Sequence, residues 1–141
     1  MIGEIKVIDS NDIVAEVQGK KNDGWRFITM TCCEETEGLD FLYHFDKNLA
    51  MNHLRIKTGK GKSIPSVSNV YFAALVVENE IQDFYDVKFD GLAIDYKGKF
   101  VITDKDDLGK PCTFRQDLST PAARIEVVQR GEATGGGKKN G

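Results

Sequence analysis

Between Arg26 and Lys57 the apolar residues recur at every second position, and between Val70 and Phe84 they recur at helical spacing. Each period commits the backbone to one kind of element. Alternation buries one face of a strand, and a 3.6-residue repeat buries one stripe of a helix. Neither surface is stable alone, so the chain must lay the helix over the sheet. The strongest alternation is Phe41, Tyr43 and Phe45 set against Leu42, His44 and Asp46. Arg26 to Cys33 places Ile28, Met30 and Cys32 on one side, and Leu54 and Ile56 alternate with Arg55 and Lys57. The links around Glu34–Gly38 and Asp46–Asn52 are of hairpin length, which predicts an antiparallel meander.

Upstream, Asp9, Ser10, Asn11 and Asp12 are all helix-capping types, and Ile13, Val14 and Val17 follow at helical spacing. A short helix is expected near residues 10–21, its end favoured by Lys20 and Lys21 and closed by a turn at Asn22-Asp23-Gly24. Ile5 to Ile8 suits a short strand or the lead into that helix. The clearest helix follows Pro65 and Ser66, with Ser68 or Asn69 as its cap and Val70, Ala73, Ala74, Val77, Ile81 and Phe84 on one stripe. Tyr71, Phe72, Leu75 and Val76 make its first half apolar on the other faces too. Such a helix is covered on more than one side, by a second element of this chain or by another protein. Lys88–Leu92 and Lys99–Ile102 read as short edge strands around a Lys97-Gly98 turn. The expected class is α+β: a small antiparallel or mixed sheet packed by two helices, with an extended C-terminal segment. The expected division is a domain over residues 1–104, an extended partner-wrapping segment over 105–130, and a Gly/Lys-rich disordered tail over 131–141.

Composition narrows the function. A chain of 141 residues can bury a core without a disulfide or metal. A net charge of −3 speaks against nucleic acid and against a polybasic membrane anchor. The start, MIGEIKVIDSNDI, lacks the pattern of a secretory signal, and Val70 to Val77 is too short to span a bilayer. Membrane association would therefore be indirect, through a partner. Cys32, Cys33 and Cys112 form no Cys-x-x-Cys pair and read as reduced thiols.

Motifs for catalysis are incomplete. Lys60-Gly61-Lys62-Ser63 ends like a phosphate-binding loop, but position 56 is Ile and Ile64-Pro65 follows where a helix should continue. A basic hairpin loop is the better reading. His44 and His53 are the only histidines, too few with these cysteines for a zinc site, and three cysteines fall short of an iron–sulfur ligand set. No catalytic residue, cofactor or metal is assigned. Lys47 to Lys62 carries five basic residues and no acid, whereas Glu78 to Asp95 carries six acids against Lys88. Glu80 and Asp83, at i and i+3, are expected to make salt links to a partner.

The stretch IPSVSNVYFAALVVENEIQDFYDVKFDGL, Ile64 to Leu92, resembles the signature region of the NADH dehydrogenase 30 kDa subunit family of respiratory complex I. That family shows a proline-started helix, a Glu-Arg-Glu-x-x-Asp core, an aromatic, a glycine and an apolar strand. Here the core reads Glu78-Asn79-Glu80-Ile81-Gln82-Asp83, with Asn79 in place of arginine and Asp86 in place of glycine. GWRFITMTC, FLYHF and LRIKT match the family's preceding strands, so the resemblance covers about residues 24–102. Tyr43 to Asn48 and Leu92 to Tyr96 look closer still to the short homologue found in energy-converting, Ech-type hydrogenases.

The resemblance implies a cofactor-free scaffold subunit on the cytoplasmic side of the membrane. It would sit beside the nickel–iron large subunit and the small iron–sulfur subunit, in an enzyme coupling ferredoxin oxidation and proton reduction to ion pumping. Tyr71, Phe72, Leu75, Glu78, Glu80, Asp83 and Phe84 are the expected partner interface. The alternatives are the equivalent subunit of another complex I-related enzyme, or a stand-alone domain using His44 and Cys32. If the C-terminal segment orders only on a partner, amides of residues 108–130 should exchange rapidly in the isolated chain; hydrogen-exchange protection there would contradict the wrapping role.

Overall fold

The computed structural model describes residues 3–101. Its centre is a four-stranded mixed sheet in the order β1-β4-β3-β2, formed by β1 (Glu4–Val7), β2 (Arg26–Glu34), β3 (Gly38–Lys47) and β4 (Ala50–Gly59). β2, β3 and β4 form the expected antiparallel meander, and β1 adds in parallel beside β4. Two helices, α1 (Ile13–Asn22) and α2 (Ala74–Tyr85), provide the cover, so the α+β class stands. A smaller parallel pair joins β5 (Ser63–Pro65) to β6 (Lys88–Asp90) at the two ends of the α2 segment.

One face of the sheet is the core. Phe41, Tyr43, Phe45, Leu54 and Ile56 are all 0% exposed, and Ile13 and Val17 of α1 join them in one apolar cluster. The start of α1 is set by the Asp9 carboxylate, which accepts the Asn11 N–H at 2.9 Å and closes a single 3-10 turn over Ser10–Asp12. Its end is set by Gly24 at φ +80°, a conformation that favours glycine. Gly38 is needed for another reason: a Cβ there would lie 2.2 Å from the Thr58 carbonyl oxygen across the sheet.

Several expectations are corrected. Ile28 does not share a face with Met30 and Cys32. The β2–β3 register shifts between Phe27 and Thr29, so Phe27 turns inward opposite Phe45 while Ile28 is left 47% exposed. One extra residue in a strand reverses the faces on either side of it. α2 begins at Ala74, later than the capping residues suggest, because Ser68 accepts the Ala93 N–H and Asn69 donates to the Gly91 carbonyl. Lys99–Val101 is not a strand, and Ile102 lies outside the described residues. So do the segments 105–130 and 131–141. Cys32 is a buried core side chain, whereas Cys33 points to the opposite face of the sheet. Adjacency in a strand gives two cysteines different surroundings.

Arg55 pairs with Asp40 and Lys57 with Glu35 on the far face of the sheet, and Lys60 pairs with Glu34. The burial pattern makes a direct prediction. Phe41→Ala should cost about 3–5 kcal/mol in urea unfolding, and Ile28→Ala less than about 1 kcal/mol, although both sit in strands.

Candidate functional site

α2 carries the residues that the sequence singles out, and it divides them between its two sides. The inward side is unusually polar. Glu78 is 0% exposed and Asn79 1% exposed, alongside Ala74, Leu75, Ile81 and Tyr85. A buried polar side chain needs partners, and each one here finds them on a different stretch of chain.

The Glu78 carboxylate accepts the Ser66 hydroxyl at 2.5 Å and the Val67 N–H at 2.8 Å. Ser66 and Ser68 hydroxyls lie 2.7 Å apart, and Ser68 in turn accepts the Ala93 N–H at 3.0 Å. Asn79 donates to the Leu75 and Ile94 carbonyls and accepts the Tyr96 N–H at 3.0 Å. Gln82 accepts the Phe89 N–H and donates to Asp95. Asp83 accepts the N–H groups of Phe100 and Val101. The four side chains thus tie β5, β6 and residues 93–101 to one helix.

Burial pushes the Glu78 carboxyl up to about 7, opposed by the two hydrogen bonds it accepts. The Tyr43 phenol is pushed well above its usual range, by burial first and by the facing Glu78 second. Its hydroxyl has no hydrogen-bond partner among the described residues.

The seven residues expected at an interface therefore separate. Glu78 and Leu75 lie in the interior of the chain, at 0% and 6% exposed. Asp83 is half-buried and bonds to this chain's own backbone. Tyr71 donates its hydroxyl to the Trp25 carbonyl at 2.6 Å and stacks on Phe27, so it pins the segment before α2 to the start of β2. Phe72 is 67% exposed. Glu80 is exposed, with no ion pair among the described residues, and Phe84 is half-buried. Phe84 and Glu80 line a cleft of about 270 Å³ between α2 and β2, with Val77 and Thr31 also in its wall.

Val76, 51% exposed, extends the Phe72 patch. It is four residues on, and its signal was present in the all-round apolar character of this stretch. The anchoring roles of Asn79 and Gln82 left no such signal, since a polar residue on a helix is ordinarily solvated.

The histidines sit on the sheet face away from the helices. His44 Nδ1 lies 2.8 Å from His53 Nδ1, and His44 Nε2 lies 2.8 Å from the Thr31 hydroxyl. Burial, followed by the neighbouring His53, lowers the His44 pKa. No group of three or more potential metal ligands occurs among the described residues. No helix among them is long and apolar enough to cross a membrane.

With this geometry in view, residues 6–120 match the family model of the respiratory-chain NADH dehydrogenase 30 kDa subunit. The chain belongs to that family. Within the 30 kDa subunit family, the Glu78-to-Asp83 core of this chain lies on the helix just described. The fold also resembles a chain of the membrane-bound sulfane sulfur reductase, an archaeal respiratory membrane complex. That match has a TM-score of 0.65 and 16% identity, covering 94% of this chain and 83% of that one. No curated protein sequence matches.

The raised Glu78 carboxyl has a signed consequence. The folded state holds a proton that the unfolded chain releases between about pH 4.5 and 7. Stability should therefore be highest below that window, fall through it and level off above, by on the order of 3 kcal/mol in all. Glu78→Gln, which keeps an acceptor for Val67, should flatten this dependence in urea unfolding at pH 5 and pH 8. An unchanged slope would assign the effect elsewhere.

Proposed function

We propose that this chain is a cofactor-free scaffold subunit in the peripheral arm of a membrane-bound, energy-converting nickel–iron hydrogenase of the Ech type. It corresponds there to the short homologue of the 30 kDa subunit. Its neighbours are the nickel–iron large subunit and the small iron–sulfur subunit, on the cytoplasmic side of the membrane. The enzyme as a whole couples ferredoxin oxidation and proton reduction to ion pumping, and this chain contributes shape without chemistry. Family membership supports the assembly role. The Tyr43–Asn48 and Leu92–Tyr96 wording supports the hydrogenase branch.

The observation that carries the scaffold reading is the division of α2. Glu78, Asn79, Gln82 and Asp83 are taken up by contacts inside the chain, and the exposed side chains are Val76 and Glu80, with Phe72 in the turn just before the helix. A solvated helix presents the reverse arrangement. Exposed aromatic and aliphatic side chains beside an exposed acid suit a protein interface, with an apolar centre and a basic group of the partner at its rim. A second reading keeps the scaffold role and changes the enzyme: the likeness to the sulfane sulfur reductase chain favours a related respiratory complex that is not a hydrogenase.

Affinity purification of the tagged chain from solubilised membranes, with metal analysis, tests both. Nickel and iron in the recovered assembly support the hydrogenase, and iron without nickel supports the second reading. Recovery of the chain alone from the soluble fraction, or a metal held by the isolated chain, would overturn the scaffold role. The double substitution Phe72→Asp and Val76→Asp should cut recovery of the assembly at least tenfold and leave the melting temperature of the chain within about 2 °C, because both side chains are exposed.

A further inference from the structure

Ten large apolar side chains are left exposed among the described residues, and half of them gather on one side of α2. Phe72 and Val76 form the patch already described. Ile94, Tyr96 and Val101, between 44% and 50% exposed, lie in the irregular segment after β6. Val76, Asn79 and Asp83 fall at i, i+3 and i+7, on one stripe of the helix. Asn79 binds the Ile94 carbonyl and the Tyr96 N–H, and Asp83 binds the N–H groups of Phe100 and Val101. The segment is thus laid along the stripe that Val76 heads, and the two apolar groups continue one another.

A segment without regular structure is costly to hold still. Here Asn79, Gln82 and Asp83 hold it by its backbone and by Asp95. The Lys99 N–H closes a tight turn on the Tyr96 carbonyl at 3.1 Å, and the Tyr96 and Phe100 rings meet with their centroids 5.0 Å apart. The nearby acids are occupied within the chain. Asp83 accepts two backbone N–H groups, and Asp95 accepts the Lys97 N–H and the Gln82 amide. Lys97 and Lys99 are exposed and make no ion pair among the described residues. Glu80, toward the β2 side of α2, is exposed and likewise without an ion pair there. The surface therefore has an apolar centre, two outward cations on one flank and one outward acid on the other.

We propose that residues 94–101 are the second half of the docking surface, and that they take an acidic-rimmed apolar face of an adjoining protein subunit. Tyr96 sits at the centre of this half, and Lys97 and Lys99 meet carboxylates at its edge. The proposal rests on the scaffold reading above and names the charge its partner must carry. A bilayer fits poorly, because an anionic surface that attracts the two lysines repels Glu80 across the same patch. A protein face can set acids against the lysines and a base against Glu80, and opposite signs on the two flanks admit one orientation only. Holding the segment in place beforehand removes its ordering cost on binding.

Lys97→Glu/Lys99→Glu reverses both charges at exposed positions. Recovery of the membrane assembly on the tagged full chain should fall at least tenfold, with the melting temperature of the chain within about 2 °C of wild type. Lys97→Arg/Lys99→Arg should recover the assembly as wild type does. In hydroxyl-radical footprinting of the wild-type chain, Tyr96 should be oxidised at least threefold faster in the dilute isolated chain than in the purified assembly. Undiminished recovery with the charge-reversed chain, while Phe72→Asp/Val76→Asp is lost, would overturn this second contact and leave the scaffold reading intact. Absence of the wild-type chain from any membrane assembly would overturn both. Slow oxidation of Tyr96 in the dilute isolated chain would mean that residues 102–141 cover it, and oxidation that slows with protein concentration would mean a second copy does. Either result replaces the partner subunit and overturns the proposal.

Discussion

The buried carboxyl of Glu78 is the point on which the upper layer of this protein turns. It sits on the core side of α2, where an unsatisfied acid would be costly, and is met by the Ser66 hydroxyl and the Val67 amide. That pairing fixes how far the chain rises from β5 before α2 can begin. It also fixes which side of the helix faces the sheet, so that Ala74, Ile81 and Tyr85 land on the core. With α2 held this way, Asn79, Gln82 and Asp83 fall within reach of residues 89–101 and bind their backbone groups. Segments with almost no regular structure are thereby ordered by side chains from one helix.

The same arrangement makes a small domain rigid. A sheet and two helices supply a dry core on one face, and the polar network on α2 fastens the irregular part to it. Fully satisfied buried networks rigidify and specify one arrangement, because each lost hydrogen bond leaves a desolvated group behind. Rigidity of that kind is what the scaffold role proposed above requires. The far face of the sheet is handled differently, by cross-strand ion pairs and a histidine pair that meets Nδ1 to Nδ1. The histidines have no third metal ligand among the described residues, and Cys32 is turned into the core.

Asn79 shows how a departure from the family pattern can be absorbed. An arginine at this position would bring a long charged side chain into a place that is 1% exposed here. The shorter amide makes two donated bonds and one accepted bond to backbone instead. Both ends of the amide group are thus used, with no charge to be neutralised.

Much of the lower layer could be read directly from the chain. Alternation in Phe41 to Phe45 and Leu54 to Ile56 specified the core face, since a strand offers only two sides and water decides between them. Capping residues and Gly24 marked α1 within a few residues, because these signals act on neighbouring backbone groups. What escaped the sequence depends on groups far apart along it. The bulge at Ile28 is visible only against Phe45 and His44, the parallel addition of β1 only against β4, and the inward turn of Glu78 only against Ser66. Local patterns report how a segment meets solvent; which acid is buried and which isoleucine is left exposed is settled when distant segments compete for the same donors and the same space.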